Sequence, residues 1–132
     1  MATRLIVRYP KRAMFDFEYY AQSHVPKALT LVKPAGMESY LVEPEMAESP
    51  YGAVFEVRWP SFDACRKALM PAPTPEITPF LIDDVKNYSV HVPEIFIMTG
   101  DVVVANVEIQ RGDPSGNGSL HRFVVKEEMT QA

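Results

Sequence analysis

A chain of 132 residues, 47% of them hydrophobic, can bury one substantial core and is too short for two ordinary domains, so one domain is expected. A net charge of −4, with 13 Lys and Arg scattered along the sequence, excludes the clustered positive surface that nucleic-acid or anionic-membrane binding needs, leaving small molecules or protein chains as partners. The single cysteine, Cys65, cannot form an internal disulfide, no apolar run approaches the ~20 residues that span a bilayer, and the first apolar run is too short for a signal peptide, so a cytoplasmic location is expected.

The first element is RLIVRY (Arg4 to Tyr9), a strand rich in β-branched and aromatic residues that stops at Pro10. A helix follows. Asp16 is its N-cap, Glu18 sits in the first turn, and Phe15 with Tyr20 can form a hydrophobic staple. Phe17, Tyr20, His24, Ala28 and Leu31 share one helical face, and Lys33-Pro34 closes the helix. Gly36 then opens a second strand, Met37 to Glu43.

The segment YGAVFEVRW (Tyr51 to Trp59) alternates as a third strand, with Ala53, Phe55, Val57 and Trp59 on one side. SFDACRKALM is a second helix, capped by Ser61 and ended by Pro71. Prolines 71, 73, 75 and 79 stiffen the next loop, and Thr78-Pro79 starts a short third helix running to about Lys86. Residues 93–109 read as a long strand interrupted near Gly100, DPSGNG as a turn cluster, and Leu120 to Glu127 as a returning strand. The order is ferredoxin-like βαββαβ, an α+β fold whose antiparallel sheet carries helices on one face. Val104 to Ile109 and Leu120 to Val125 add a C-terminal hairpin.

Strand parity sorts the faces. Leu5, Val7, Tyr9, Phe55, Val57 and Trp59 lie under the helices, while Ile6, Arg8, Val54, Glu56 and Arg58 form a face that is either solvated or paired with a second copy, its charges then matched as ion pairs.

Pro26 has no N–H for the Gln22 carbonyl and costs an ideal helix about 3 kcal/mol, so a kink or wide turn is expected there. A freed carbonyl or a nearby side chain would hold one ring nitrogen of His24, the other pointing between helix and sheet, where an imidazole can act as acid or base. Tyr9, Tyr20, Tyr40 and Trp59 are candidate flat walls for an aromatic or polyketide-like ligand. The competing reading makes His24 a hydrogen-bonded core residue and the aromatics core packing. Asp83 and Asp84 read as a solvated or capping pair. His91 stands near the pocket rim, and His121 has no assigned role. The three histidines lack metal-ligand spacing, Cys65 sits like a small apolar residue, and no phosphate loop or dinucleotide fingerprint occurs. No metal or cofactor is expected.

The segments RYP…FDFEYYAQSHVPKAL, PYGAVFEVRWPSFDACRKAL and FLIDDVKNYSVHVPEI, over about residues 4–103, resemble the EthD-like family of the dimeric α+β barrel superfamily. That family's tyrosine-rich first helix with its HxP end falls on Tyr19, Tyr20, His24 and Pro26, and its DVxN turn on Asp84 to Asn87. The resemblance implies a homodimer whose sheets pair into a barrel, with a ligand pocket between sheet and helices in each subunit. It divides the chain into an EthD-like unit at 1–103 and a hairpin extension of the same domain at 104–132. Relatives include polyketide cyclases, dehydratases, decarboxylases, muconolactone isomerase and distant haem-binding enzymes. The leading expectation is a cofactor-independent enzyme doing proton-transfer chemistry (cyclisation, dehydration, isomerisation or decarboxylation). The alternative is a noncatalytic small-molecule carrier or accessory protein of an oxidative degradation pathway. A third reading is a haem site using His24 or His91.

Overall fold

Alternating apolar residues build six strands: β1 (Thr3–Pro10), β2 (Ser39–Pro44), β3 (Tyr51–Trp59), β4 (Glu94–Thr99), β5 (Val102–Gln110) and β6 (Arg122–Glu127). The computed structural model describes residues 3–10, 16–34, 36–44, 48, 50–69, 81–89, 92–110 and 122–127, without the side chains of residues 31, 32 and 122. The strands form one antiparallel sheet in the order β2-β3-β1-β4-β5-β6. Its first four members have the ferredoxin-like arrangement, and β5 and β6 extend it beyond β4.

The ladders stack like with like. Leu5 lies opposite Val57 and Ile97, and Val7 opposite Phe55 and Ile95, so the apolar sets of three strands meet on one face. Leu5, Tyr9, Phe55, Val57 and Trp59 are buried there together with Val25, Ala28 and Leu29 of the first helix and Cys65, Ala68 and Leu69 of the second. The first helix has three parts: α1 (Phe17–Tyr19), a π-helical stretch Tyr20–His24, and α2 (Val25–Val32). The second is α3 (Phe62–Leu69). Asp16 caps the first, its carboxylate accepting the Tyr19 N–H at 3.0 Å, and Ser61 caps the second, its hydroxyl accepting the Ala64 N–H at 3.1 Å.

The opposite face carries the charges. Glu56 sits between Arg4, whose Nη1 donates to it at 3.0 Å, and Arg58, whose Nε lies 3.5 Å away. The Arg8 guanidinium lies over Tyr51 at 4.9 Å and over Phe96 at 5.4 Å. Ile6 and Phe96 are buried within this single subunit, so long arginine stems cover apolar surface here as well as carrying charge.

Two elements differ from the sequence reading. The stretch expected as one interrupted strand folds back on itself, because Gly100 takes φ 61° and lets Gly100-Asp101 form a two-residue turn closed by Thr99 opposite Val102. Of the expected third helix, Leu81–Asp83 are helical and Asp84–Asn87 tighten into a 3-10 turn. Phe15, the prolines at 71, 73, 75 and 79, the DPSGNG turn, His91 and His121 lie outside the described residues.

The C-terminal hairpin forms as expected and adds to the sheet, with Asn106 opposite Lys126 and Ile109 opposite Phe123. Ala105 and Val107 join the core, Phe123 and Val125 pack against it, and the sheet curls far enough for β6 to reach α3. Full burial contributes about 1.5–3 kcal/mol for a side chain the size of Val107 and less for Ala105 and the half-buried Phe123 and Val125, so together they supply a large part of the roughly 5–15 kcal/mol that holds a domain folded. Ending the chain at Asp101 is therefore expected to abolish cooperative thermal unfolding and cause aggregation. Unchanged melting and solubility would make the hairpin a dispensable appendage.

Candidate functional site

Pro26 shapes the site first. The strain expected there is relieved by a π turn, in which the Val25 N–H bonds the Tyr20 carbonyl five residues back, and Pro26 falls in the first turn of α2, where its missing N–H is tolerated. The widened turn brings His24 beneath Tyr20, their rings 5.5 Å apart and 18° from parallel.

The second half comes from residues 84–88. The Asp16 N–H bonds the Tyr88 carbonyl at 2.9 Å, tying the start of α1 to the end of the 3-10 turn. Asp84 is thereby pressed against the first helix and is only 3% exposed. Its Oδ1 accepts the Tyr19 hydroxyl at 2.8 Å and the Asn87 amide at 2.9 Å. Its Oδ2 lies 3.0 Å from His24 Nδ1.

Burial alone would push the Asp84 carboxyl up, but the bonds from Asn87, Tyr19 and His24 outweigh it and hold the group below its ordinary 3.8. An ionised carboxylate only accepts hydrogen bonds, so Nδ1 of His24 carries the proton and Nε2 holds the basic lone pair. Burial is also the largest influence on His24, keeping the imidazole below its ordinary 6.5 although Asp84 pulls the other way. The pair is a carboxylate with a neutral, oriented imidazole.

Around it stand phenols. The Tyr9 and Tyr88 hydroxyls are hydrogen-bonded, and Tyr20 bonds Tyr9. Tyr88 packs 4.8 Å from His24 and 5.0 Å from Tyr20. Burial above all raises Tyr9, Tyr20 and Tyr88 past the ordinary 10, so all three remain protonated donors at neutral pH.

A cavity of about 70 Å³ opens beside this group; this is less than half of the roughly 150 Å³ that holds benzene, so a ring-sized ligand has to enlarge it. Tyr9, Tyr20 and His24 give it one polar end. The sheet supplies Leu5, Val7, Phe55 and Ile95, the helical layer Ala28, Leu69, Leu81 and Val85, and the remaining wall is Pro93, Ile109 and Phe123. The arrangement can take a proton from a small, mostly apolar molecule and hydrogen-bond the oxygen on which charge develops.

Of the residues singled out in the sequence, His24, Tyr9 and Tyr20 line the cavity, whereas Tyr40 and Trp59 do not. Tyr40 is 47% exposed on the edge strand β2, in edge contact with Phe55. Trp59 is wholly buried at the end of β3 opposite Thr3, six residues along the strand from Ala53, the partner of Tyr9. That separation is about 20 Å. Reasoning from residue types missed Asp84 as the partner of His24, placing it in a solvated or capping pair; only Asp83 is exposed. It also missed Tyr88 and the clamp made by Tyr19 and Asn87. Among the described residues no cluster of three His, Cys, Asp or Glu is placed to hold a metal ion.

Because His24 has a lower pKa folded than unfolded, the folded chain binds fewer protons, and its stability, complete above pH 6.5, falls as pH drops through 6.5 toward the folded value. Asp84 adds a further loss at lower pH, below 3.8. Urea midpoints between pH 7.5 and 5 are expected to show the first loss and to show less of it in His24→Asn. Since Asp84 raises the His24 pKa, Asp84→Asn is expected to move the imidazole titration, followed by nitrogen NMR shifts, to still lower pH.

No model of a known protein family matches the sequence, and no curated protein does. Solved structures do match. An EthD-like protein of Ralstonia eutropha JMP134 is 22% identical with a TM-score of 0.62, over 76% of this chain and 93% of that one. An ethyl tert-butyl ether D (EthD) family protein of Bacillus halodurans C-125 is 17% identical with a TM-score of 0.58, over 75% of this chain and 98% of its own. SnoaB, a cofactor-independent oxygenase of Streptomyces nogalater, is 16% identical with a TM-score of 0.57, over 76% and 94%. These matches support the EthD-like resemblance read in the sequence, and the chain has the ferredoxin-like α+β fold of those proteins.

Proposed function

We propose that the protein is a cofactor-independent enzyme that moves a proton on a small aromatic or polyketide-like molecule, with His24 as the base. The observation that carries this reading is the Asp84–His24 pair at the polar end of an otherwise apolar cavity. A substrate C–H or O–H gives its proton to Nε2, the electron pair stays on the substrate as an enolate or phenolate, and Asp84 stabilises the imidazolium. The linked hydroxyls of Tyr9, Tyr20 and Tyr88 use two of their three protons on one another, so the hydroxyl chain turns one O–H toward the developing oxyanion, and the apolar walls strengthen that bond by excluding water. Returning the proton to another atom gives isomerisation; giving it to a leaving hydroxide gives dehydration. Cyclisation and decarboxylation use the same anion. SnoaB, which is similar in fold, is a cofactor-independent oxygenase, and a substrate anion is also the species from which oxygenation would start.

His24→Asn separates catalysis from structure, since the Asn amide keeps a donor near Asp84 and removes the Nε2 lone pair. Turnover of such substrates is expected to fall about 10²-fold or more, with the melting temperature nearly kept. In the wild type, kcat/KM is expected to lose its activity on acidification with an apparent pKa below 6.5. If instead stability drops by about 1–3 kcal/mol and activity only tracks unfolding, His24 is a core residue. Unchanged ligand affinity with no turnover in the wild type would favour the carrier reading.

We also propose that the working unit is a homodimer joined through the face bearing Arg4, Ile6, Arg8, Val54, Glu56 and Arg58. Glu56, set between two arginines, makes the pairing testable. Glu56→Lys puts a positive charge beside Arg4 and Arg58 on a face that assembly would desolvate. Sedimentation equilibrium at micromolar concentration is expected to give a dimer for the wild type and mostly monomer for the variant. A folded wild-type monomer would rule the dimer out.

A further inference from the structure

The β4–β5 ladder runs from Thr99 opposite Val102 to Phe96 opposite Asn106 and goes no further, while β5 stays paired with β6 as far as Gln110. Three residues beyond Phe96 and Asn106 the same register brings Pro93 to Ile109. Proline has no N–H to donate, so no ladder bond from its nitrogen can close the sheet there. Outside this seam lies a cleft of about 510 Å³ bounded by Val92, Pro93, Val107, Glu108 and Ile109. Inside it lies the His24 cavity, and Pro93 and Ile109 are the two described residues that line both spaces. Val92, an exposed apolar residue, stands at the outer rim.

We infer that the seam between Pro93 and Ile109 is the port by which ligand reaches His24, and that Ile109 gates it and favours a neutral ligand. This rests on the cavity being the ligand site. Both gate residues are apolar and half-buried, so a charged group would shed its water in passing, whereas a phenol or cyclic ketone loses little. Ile109 faces Phe123 in register, so the hairpin supplies both the gate and the wall behind it. A wall residue alters affinity through the dissociation rate; a gate alters association and dissociation together and leaves the equilibrium nearly alone.

The test uses the full chain and 4-fluorophenol, with both rate constants read by fluorine exchange NMR. Ile109→Trp is expected to slow association by about tenfold or more, an effect that changed wall contacts, acting through dissociation, would not produce. Ile109→Ala, which only removes volume and so carries the test if the Trp variant misfolds, is expected to speed association. The anion 4-fluorobenzoate is expected to bind the wild type at least about tenfold more weakly. Unaltered rates in both variants with binding intact would overturn the port alone, as would a change in dissociation only. Failure of 4-fluorophenol to bind the wild type would overturn the cavity reading and the port with it.

Discussion

A carboxylate that meets almost no water must be surrounded by donors or give up its charge. Asp84 is in that position, and its three donors come from three places in the chain: Tyr19 in α1, His24 in the π turn and Asn87 one turn of 3-10 helix further on. Holding them together fixes the first helix against residues 84–88, a docking that the Asp16–Tyr88 backbone bond repeats at the helix start. The same constraint decides the chemistry of His24. Because the carboxylate accepts only, the imidazole has one tautomer, and because the site is buried, it is held neutral.

The π turn is the local device that makes this docking possible. A regular helix through Pro26 would lose a hydrogen bond and clash, at about 3 kcal/mol; widening the turn by one residue relieves both. It also sets His24 flat against Tyr20, with Tyr88 packed against both rings. The aromatic enclosure explains the directions taken by His24, Tyr9, Tyr20 and Tyr88, since low polarity disfavours both the imidazolium and the phenolates, whereas Asp84 is held down by its donors against the same burial. A neutral imidazole and protonated phenols suit the proton abstraction proposed above.

Much of this was legible from spacing. Alternation in RLIVRY and YGAVFEVRW gave both sheet faces, Asp16 and Ser61 were found as caps, and the awkwardness of Pro26 pointed to the wide turn. Asp84 was readable too, because Leu81, Asp84, Val85 and Tyr88 follow helical steps of three and four, which puts the aspartate on the buried stripe. Its neighbour Asp83 hid that pattern by suggesting a solvated pair. Tyr40 and Trp59, expected as cavity walls, lie away from the cavity for another reason. Parity says which face a residue occupies and nothing about where along or across the sheet it stands, and position needs the ladder register. Only the register shows Trp59 beside Thr3 and Tyr9 beside Ala53.

Burial along β5 links stability to access. On the helix-facing side, Ala105 and Val107 are buried and Ile109 is half-buried, so packing weakens toward the seam with Pro93. The hairpin is anchored where β4 still pairs with it and loosens where that pairing ends. Motion at Ile109 therefore exposes little core and breaks no β4 ladder bond, the condition for local opening far below the cost of global unfolding. The EthD-like structures match about three quarters of the chain and are themselves covered almost end to end. A hairpin that both completes a core and borders a cavity ties the shape of that cavity to the folding of β5 and β6, so changes near Ile109 can alter the cavity while Ala105 and Val107 keep the sheet intact.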